Sequence, residues 1–224
     1  MYVSDHGRLV SRFHFSFAEY FNPKNMQFGV LRVLNGDQVQ PGTGFETHPH
    51  ENIEIVSYCV DGELTHGDSM GHKETLQRGD VQYLSAGTGI THSEMNDSRD
   101  KLLRFLQIWI LPDKRGVTPQ YGSKRFFRSD RLNRLLHVVS GIGGNGAITE
   151  HQDINIFTSE IDEGKEVDFR QETGRQSYLV CIEGNLDADG TLLTERDAAE
   201  ITCEGRIIFK AIQKAHLIII EMAR

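Results

Sequence analysis

Five side chains in this sequence are of types and spacings that could hold a metal ion. His48 and His50 are separated by one residue in "GFETHPHENIE" (44–54), and Glu54 follows four residues after His50. Successive side chains of a β-strand alternate between faces, so these three project the same way if the strand stays regular. A second pair, His92 and Glu94, stands in "GITHSEMN" (89–96), again with one residue between them. A barrel can bring the two stretches together and point three imidazoles and one or two carboxylates inward. That donor set suits a divalent transition metal, and octahedral iron held this way would keep positions for water, oxygen or substrate. Spacing alone leaves open whether Glu54 or Glu94 is the carboxylate. His66 and His72 flank the turn "GDSMG" and read as hairpin residues. His6, His14, His137, His151 and His216 read as surface or hydrogen-bonded histidines.

The elements that must position these groups are strands. "FGVLRVL" (28–34), "NIEIVSYCV" (52–60), "DVQYLSA" (80–86) and "LLRFLQIWIL" (102–111) are rich in β-branched and aromatic residues. The turn signals "NGD" (35–37), "DGE" (61–63), "RGD" (78–80) and "AGTG" (86–89) bound them. The polar segment 112–131 carries two prolines and no clear period, so it reads as an interdomain connection. Beyond it, 135–140, 154–161, 177–184, 198–202, 206–212 and 215–222 read as strands of a second β-domain. Residues 57–84 can be laid against 177–201, the second copy being shorter at its hairpin, which suggests a duplicated fold. Helix signals are few, the best being "SFAEYF" (16–21) and "SDRLNRLL" (129–136). The expectation is an all-β chain of two tandem barrel or jelly-roll domains, 1–125 and 126–224, with metal in the first alone.

Composition narrows the function classes. The 22 glycines among 224 residues exceed the usual ~7% and suit a turn-rich β protein. A net charge of −8 without a basic block argues against nucleic acid or an anionic membrane as partner. "MYVSDHGRLVSRFHFSF" lacks the pattern of a signal peptide, and "FLQIWIL" and "HLIII" are far shorter than the ~20 residues of a membrane span. Cys59, Cys181 and Cys203 fit neither a disulfide framework nor a Cys-rich zinc site, so a cytoplasmic location is expected. "GIGGNG" (141–146) matches a dinucleotide fingerprint, but the residues after it do not read as the helix such a site requires.

Gly42, His48, Pro49, His50, Glu54 and Gly62 resemble the first cupin motif stretched by one residue. "GDVQYLSAGTGITHSEMN" (79–96) resembles the second, with Ser85 where a proline is usual and two extra residues before His92. "HPHENIE", "HGDSMG" and "AGTGITHSE" are similar to the pirin family and to its bacterial quercetinase branch, with "FSFAEYFNP" and "QIWILP" also fitting. The resemblance implies a bicupin whose metal ligands are His48, His50, His92 and Glu94, with Glu54 outside them, orienting a histidine N–H. It implies one divalent ion per chain, iron(II) foremost, with copper, nickel, manganese and zinc also suited to the site. The activity implied is oxygen-dependent ring cleavage of a quercetin-like flavonol, with Glu94 also a candidate to accept the substrate proton. Phe45, Met70 and Met95 are candidates to stack on the rings. The alternative is a redox-sensing regulator without physiological catalysis, reading its metal out to a protein partner. The expected form is a monomer that takes a flavonol-like molecule and O2 and contacts no nucleic acid or membrane.

Overall fold

The structure, a computed structural model, describes residues 1–141, 148, 149 and 152–224. The glycine-rich "GIGGNG" lies, beyond Gly141, outside the described residues. The chain divides into two units, Met1–Phe126 and Phe127–Arg224. The first holds β1 (Tyr2–Asp5), β2 (Leu9–Phe13), β3 (Leu31–Val39), β4 (Gly44–His50), β5 (Glu54–Asp61), β6 (Glu63–Asp68), β7 (Lys73–Gln77), β8 (Val81–Ser85), β9 (Ile90–Met95), β10 (Leu103–Ile110) and β11 (Gln120–Lys124). The second holds α1 (Arg128–Arg131), β12 (Leu136–Ser140), β13 (Ile148–Thr149), β14 (Ile154–Ile161), β15 (Glu166–Gln171), β16 (Arg175–Glu183), β17 (Leu186–Ala188), β18 (Thr191–Leu193), β19 (Ala198–Ile201), β20 (Gly205–Ala211) and β21 (Ala215–Ala223).

In the first unit a seven-stranded sheet, β1-β2-β3-β10-β5-β8-β11, accompanies a four-stranded one, β4-β9-β6-β7. Strands alternate side chains between faces, so register determines which residues share a row. One transverse row of the large sheet is polar: Asn35 of β3 is opposite Gln107 of β10, Gln107 opposite Ser57 of β5, and Ser57 opposite Gln82 of β8. All four are buried. The row on one side contains Val33, Trp109, Ile55 and Leu84, and the row on the other contains Asp37, Phe105 and Cys59. Apolar clusters form around Leu64, Leu103 and Phe105 and around Ile55, Leu84 and Ile90. Buried polar groups of this kind need hydrogen-bond partners.

Four local expectations are corrected. "NGD" (35–37) does not turn; β3 runs straight through it. "SFAEYF" is an irregular loop in which Phe17 and Tyr20 exchange backbone hydrogen bonds. The segment 112–131 is more than a connection, because β11 pairs with β8 and closes that edge of the sheet. The predicted helix at 129–136 shrinks to the single turn α1, whose Arg131 is buried and donates through Nε and Nη2 to Glu160 Oε1 at 3.1 and 3.0 Å.

The second unit repeats the strand order. Its six-stranded sheet is β13-β12-β14-β21-β16-β19 and its four-stranded sheet β15-β20-β17-β18. Strands β15 and β20 thus stand where β4 and β9 stand in the first unit. In place of histidines they bury Val167 opposite Phe209 and Phe169 opposite Ile207, all part of one apolar cluster. The three-residue strands β17 and β18 account for the shortened hairpin seen in the sequence.

Candidate metal centre

His48 and His50 occupy alternate positions of β4 and so share a face. His48 is opposite His92 of β9. Between Phe45 and His48 the register shifts, three steps of β4 matching two of β9; this bulge sets the phase that turns both histidines toward His92. Gly44 permits the close approach of the strands: a Cβ there would fall 2.7 Å from Met95 Cα. The ring centroids of His48, His50 and His92 are 4.6 to 4.9 Å apart. One ligand nitrogen from each lies within 4.8 Å of the other two.

The protonation states favour a cation. Burial, reinforced by the neighbouring rings of His92 and His48, pushes His50 down to about 4. Burial and then His48 push His92 down to about 3. Both rings are therefore neutral at pH 7 and offer lone pairs. His48 Nδ1 lies 2.7 Å from the Glu46 carbonyl oxygen, so that nitrogen carries the proton and Nε2 is left to ligate. His92 is 1% exposed, and neither of its ring nitrogens has a hydrogen-bond partner among the described residues. A buried imidazole with nothing to bond is costly in a dry core and fits a metal ligand. The residues present therefore suit the divalent ion that the sequence implied.

Glu94 follows His92 on the same face of β9 and is fully buried. Its carboxylate meets the polar row of the opposite sheet. Oε1 accepts from Ser57 Oγ at 2.6 Å and Gln82 Nε2 at 2.7 Å, and Oε2 accepts from Gln107 Nε2. A carboxylate offers about four lone-pair sites. Three are taken, which leaves one on Oε2. The close ligand group itself consists of the three imidazoles. Glu54 accepts from the Tyr83 hydroxyl at 2.6 Å and from Ser85 Oγ at 2.9 Å. His48 is oriented by the Glu46 carbonyl. His66 does lie on the β6–β7 hairpin, but its ring is buried 5.6 Å from that of His92 and stacked on Tyr121 at 4.3 Å.

A cavity of about 400 Å³ is lined by His48 and His50 together with Phe13, Phe17, Phe45 and Trp109. Phe17 meets Trp109 edge-on at 5.3 Å, and Trp109 meets His50 edge-on at 5.0 Å, so aromatic rings run from the wall to the imidazoles. Of the stacking residues suggested by sequence, Phe45 lines this cavity, whereas Met70 stands 39% exposed on the hairpin turn, and neither it nor Met95 is among the described lining residues. Phe13, Phe17 and Trp109 were missed. The alternation of Gln107 and Trp109 within "LQIWIL" was the available signal for the last.

Residues 2–110 match the family model described as Pirin, and residues 137–222 the one described as Quercetinase C-terminal cupin domain. A pirin-like protein of Caulobacter vibrioides is 38% identical over 98% of this chain and 95% of its own length. A quercetin 2,3-dioxygenase of Escherichia coli is 35% identical over 98% and 94%. The crystal structure of the bacterial pirin YhhW of Escherichia coli in complex with nickel(II) superposes with a TM-score of 0.92 at 33% identity, covering 99% of this chain and 94% of that one.

Proposed function

Since this chain belongs to the pirin family, with relatives of that sequence likeness along nearly its whole length, we propose that it is a metal-dependent dioxygenase that opens the heterocyclic ring of quercetin-like flavonols with O2. The observation that supports this reading is the junction of the imidazole group with an aromatic-walled cavity sized for a flat polycyclic molecule. We assign His48, His50, His92 and Glu94 as the ligands, the last through the free site on Oε2, with iron(II) as the ion. When bound, such an ion supplies Lewis acidity toward the flavonol hydroxyl and a place for O2.

The protein's own part is positional. Phe13, Phe17 and Trp109 hold the rings of the substrate edge-on and face-on against His50. Ser57, Gln82 and Gln107 fix Glu94 so firmly that its role as a ligand is favoured over that of a mobile base. Glu54, tied to Tyr83 and Ser85, stays outside the ligand set. The second unit serves as an apolar counterpart without an ion. No helix among the described residues is long and apolar enough to cross a membrane, and a cytoplasmic, monomeric protein completes the reading.

The test is anaerobic loading with iron(II), followed by quercetin and air. Quercetin loss with carbon monoxide release, abolished in His48→Ala, is the expected result. A protein that binds the ion stoichiometrically and turns over no flavonol would instead point to the redox-sensing regulator.

A further inference from the structure

The inner face of β3 reads Val33, Asn35, Asp37, Val39, with exposures of 2, 3, 2 and 0%. Two polar side chains are thus buried in succession where a core strand would carry aliphatic ones. Asn35 Oδ1 and Asp37 Oδ1 both lack a hydrogen-bond partner among the described residues. Both residues line the cavity beside His48 and His50. A third buried atom without a partner, Trp109 Nε1, belongs to a residue lining the same cavity. Leaving such groups unpaired costs roughly 1–3 kcal/mol each, a cost that a structural core avoids and a ligand site recovers on binding.

We infer that Asn35 and Asp37 are the specificity-determining residues of this cavity, hydrogen-bonding phenolic hydroxyls of the ligand other than the one presented to the ion. Asn35 Oδ1 accepts a hydroxyl proton. The free oxygen of Asp37 does the same when the carboxyl is ionised, and its neutral form can also donate. The indole N–H of Trp109 adds a donor for a ring carbonyl or ether oxygen. Flat walls, two hydroxyl acceptors and one donor select polyhydroxylated aromatic ketones over plain aromatic ones. This assignment rests on the flavonol reading above and names the residues that would discriminate within that class.

Trp109 is the only tryptophan of the chain, so its fluorescence reports occupancy without turnover. Zinc(II)-loaded protein, free of oxygen, is titrated with quercetin and with 3-hydroxyflavone, which lacks every other hydroxyl. The wild type is expected to prefer quercetin by at least about tenfold, one good hydrogen bond or more. In Asn35→Leu and Asp37→Leu the preference falls about tenfold while 3-hydroxyflavone affinity holds; Asp37→Asn retains most of it. An unchanged preference in the folded leucine variants overturns the assignment and leaves those oxygens to water. If the leucine variants do not fold, Asn35→Ala and Asp37→Ala decide, since they delete the same acceptor oxygens without filling the cavity and a preference unmoved by both overturns it equally. A wild type that binds neither compound sinks the flavonol reading itself, whereas quercetin turnover with unaltered preference in the variants sinks only this inference.

Discussion

Gln107 on β10 donates through Nε2 to Oε2 of Glu94 on β9, joining the large sheet of the first unit to the small one through the candidate ligand. The carbonyl oxygen of the same amide stands 3.1 Å from Ser57 Oγ, whose one proton goes to the closer Glu94 Oε1. Removing that amide in Gln107→Ala leaves a buried carboxylate short of a donor and free to swing. Contacts of this kind behind a metal ligand are typically worth 10- to 100-fold in affinity. Iron(II) or nickel(II) affinity, measured by competition with a chelator, is expected to fall by about that factor, with the melting temperature also reduced.

Acid should unfold the metal-free protein early. Burial, followed by the N-terminal ammonium, pushes His14 down to about 4, and His50 and His92 lie at about 4 and about 3, against 6.5 in the unfolded chain. The unfolded state therefore binds protons first as the pH drops. The contribution of these neutral rings is complete above pH 6.5 and is lost as the pH falls toward 4 and then 3. For His14 alone the loss is on the order of 3 kcal/mol. Urea midpoints of the apoprotein should drop steeply between pH 6.5 and 4, and bound metal should shift that fall to lower pH by competing for His50 and His92.

Asp37 contributes a slope of the opposite sign. Burial raises it to about 7, outweighing the hydrogen bond from Ser11. Its neutral form is favoured in the fold, so its contribution is complete below about 3.8 and is lost as the pH rises to about 7. Asp37→Asn removes the ionisation. The stability of this variant relative to wild type should therefore climb between pH 4 and 7 and level off above, by on the order of 3 to 4 kcal/mol in total. A flat difference across that range would show an Asp37 with an ordinary acidity.

Gly44 is the narrowest point between β4 and β9. A methyl group there meets the Glu94 carbonyl, Met95 Cα at 2.7 Å and Met95 Sδ at 2.8 Å. Two of these are backbone atoms that cannot rotate away. Gly44→Ala should push the strands apart where His48 faces His92, lowering metal content to a small fraction of wild type. Gly42→Ala, where nothing lies within 4 Å but φ is +68, should cost about 1 kcal/mol and leave the metal in place.

The sequence made the strands of both units readable because their inner residues are Val, Ile, Leu and Phe in long runs. The three histidines that come together were readable because His-x-His and His-x-Glu survive as local patterns, whereas spacing alone left the choice between Glu54 and Glu94 open. Less legible was anything held together across strands. Asn35 and Asp37 flank a glycine, which in isolation spells a turn; only pairing with β2 and β10 shows that they lie in a buried strand. Phe17 sits in a stretch whose spacing imitated a helix, but its ring packs edge-on against Phe13 and Trp109 instead. The polar row of Asn35, Gln107, Ser57 and Gln82 comes from four distant segments, and no window along the chain contains it.

Strand β11 lies beyond residue 110, where the match to the Pirin family model ends. Anyone excising the metal-binding half at that limit would strip the outer neighbour from β8 and expose a row of bare amides and carbonyls, a template for intermolecular aggregation. The smallest fragment worth purifying runs through Phe126, the buried last residue of the first unit.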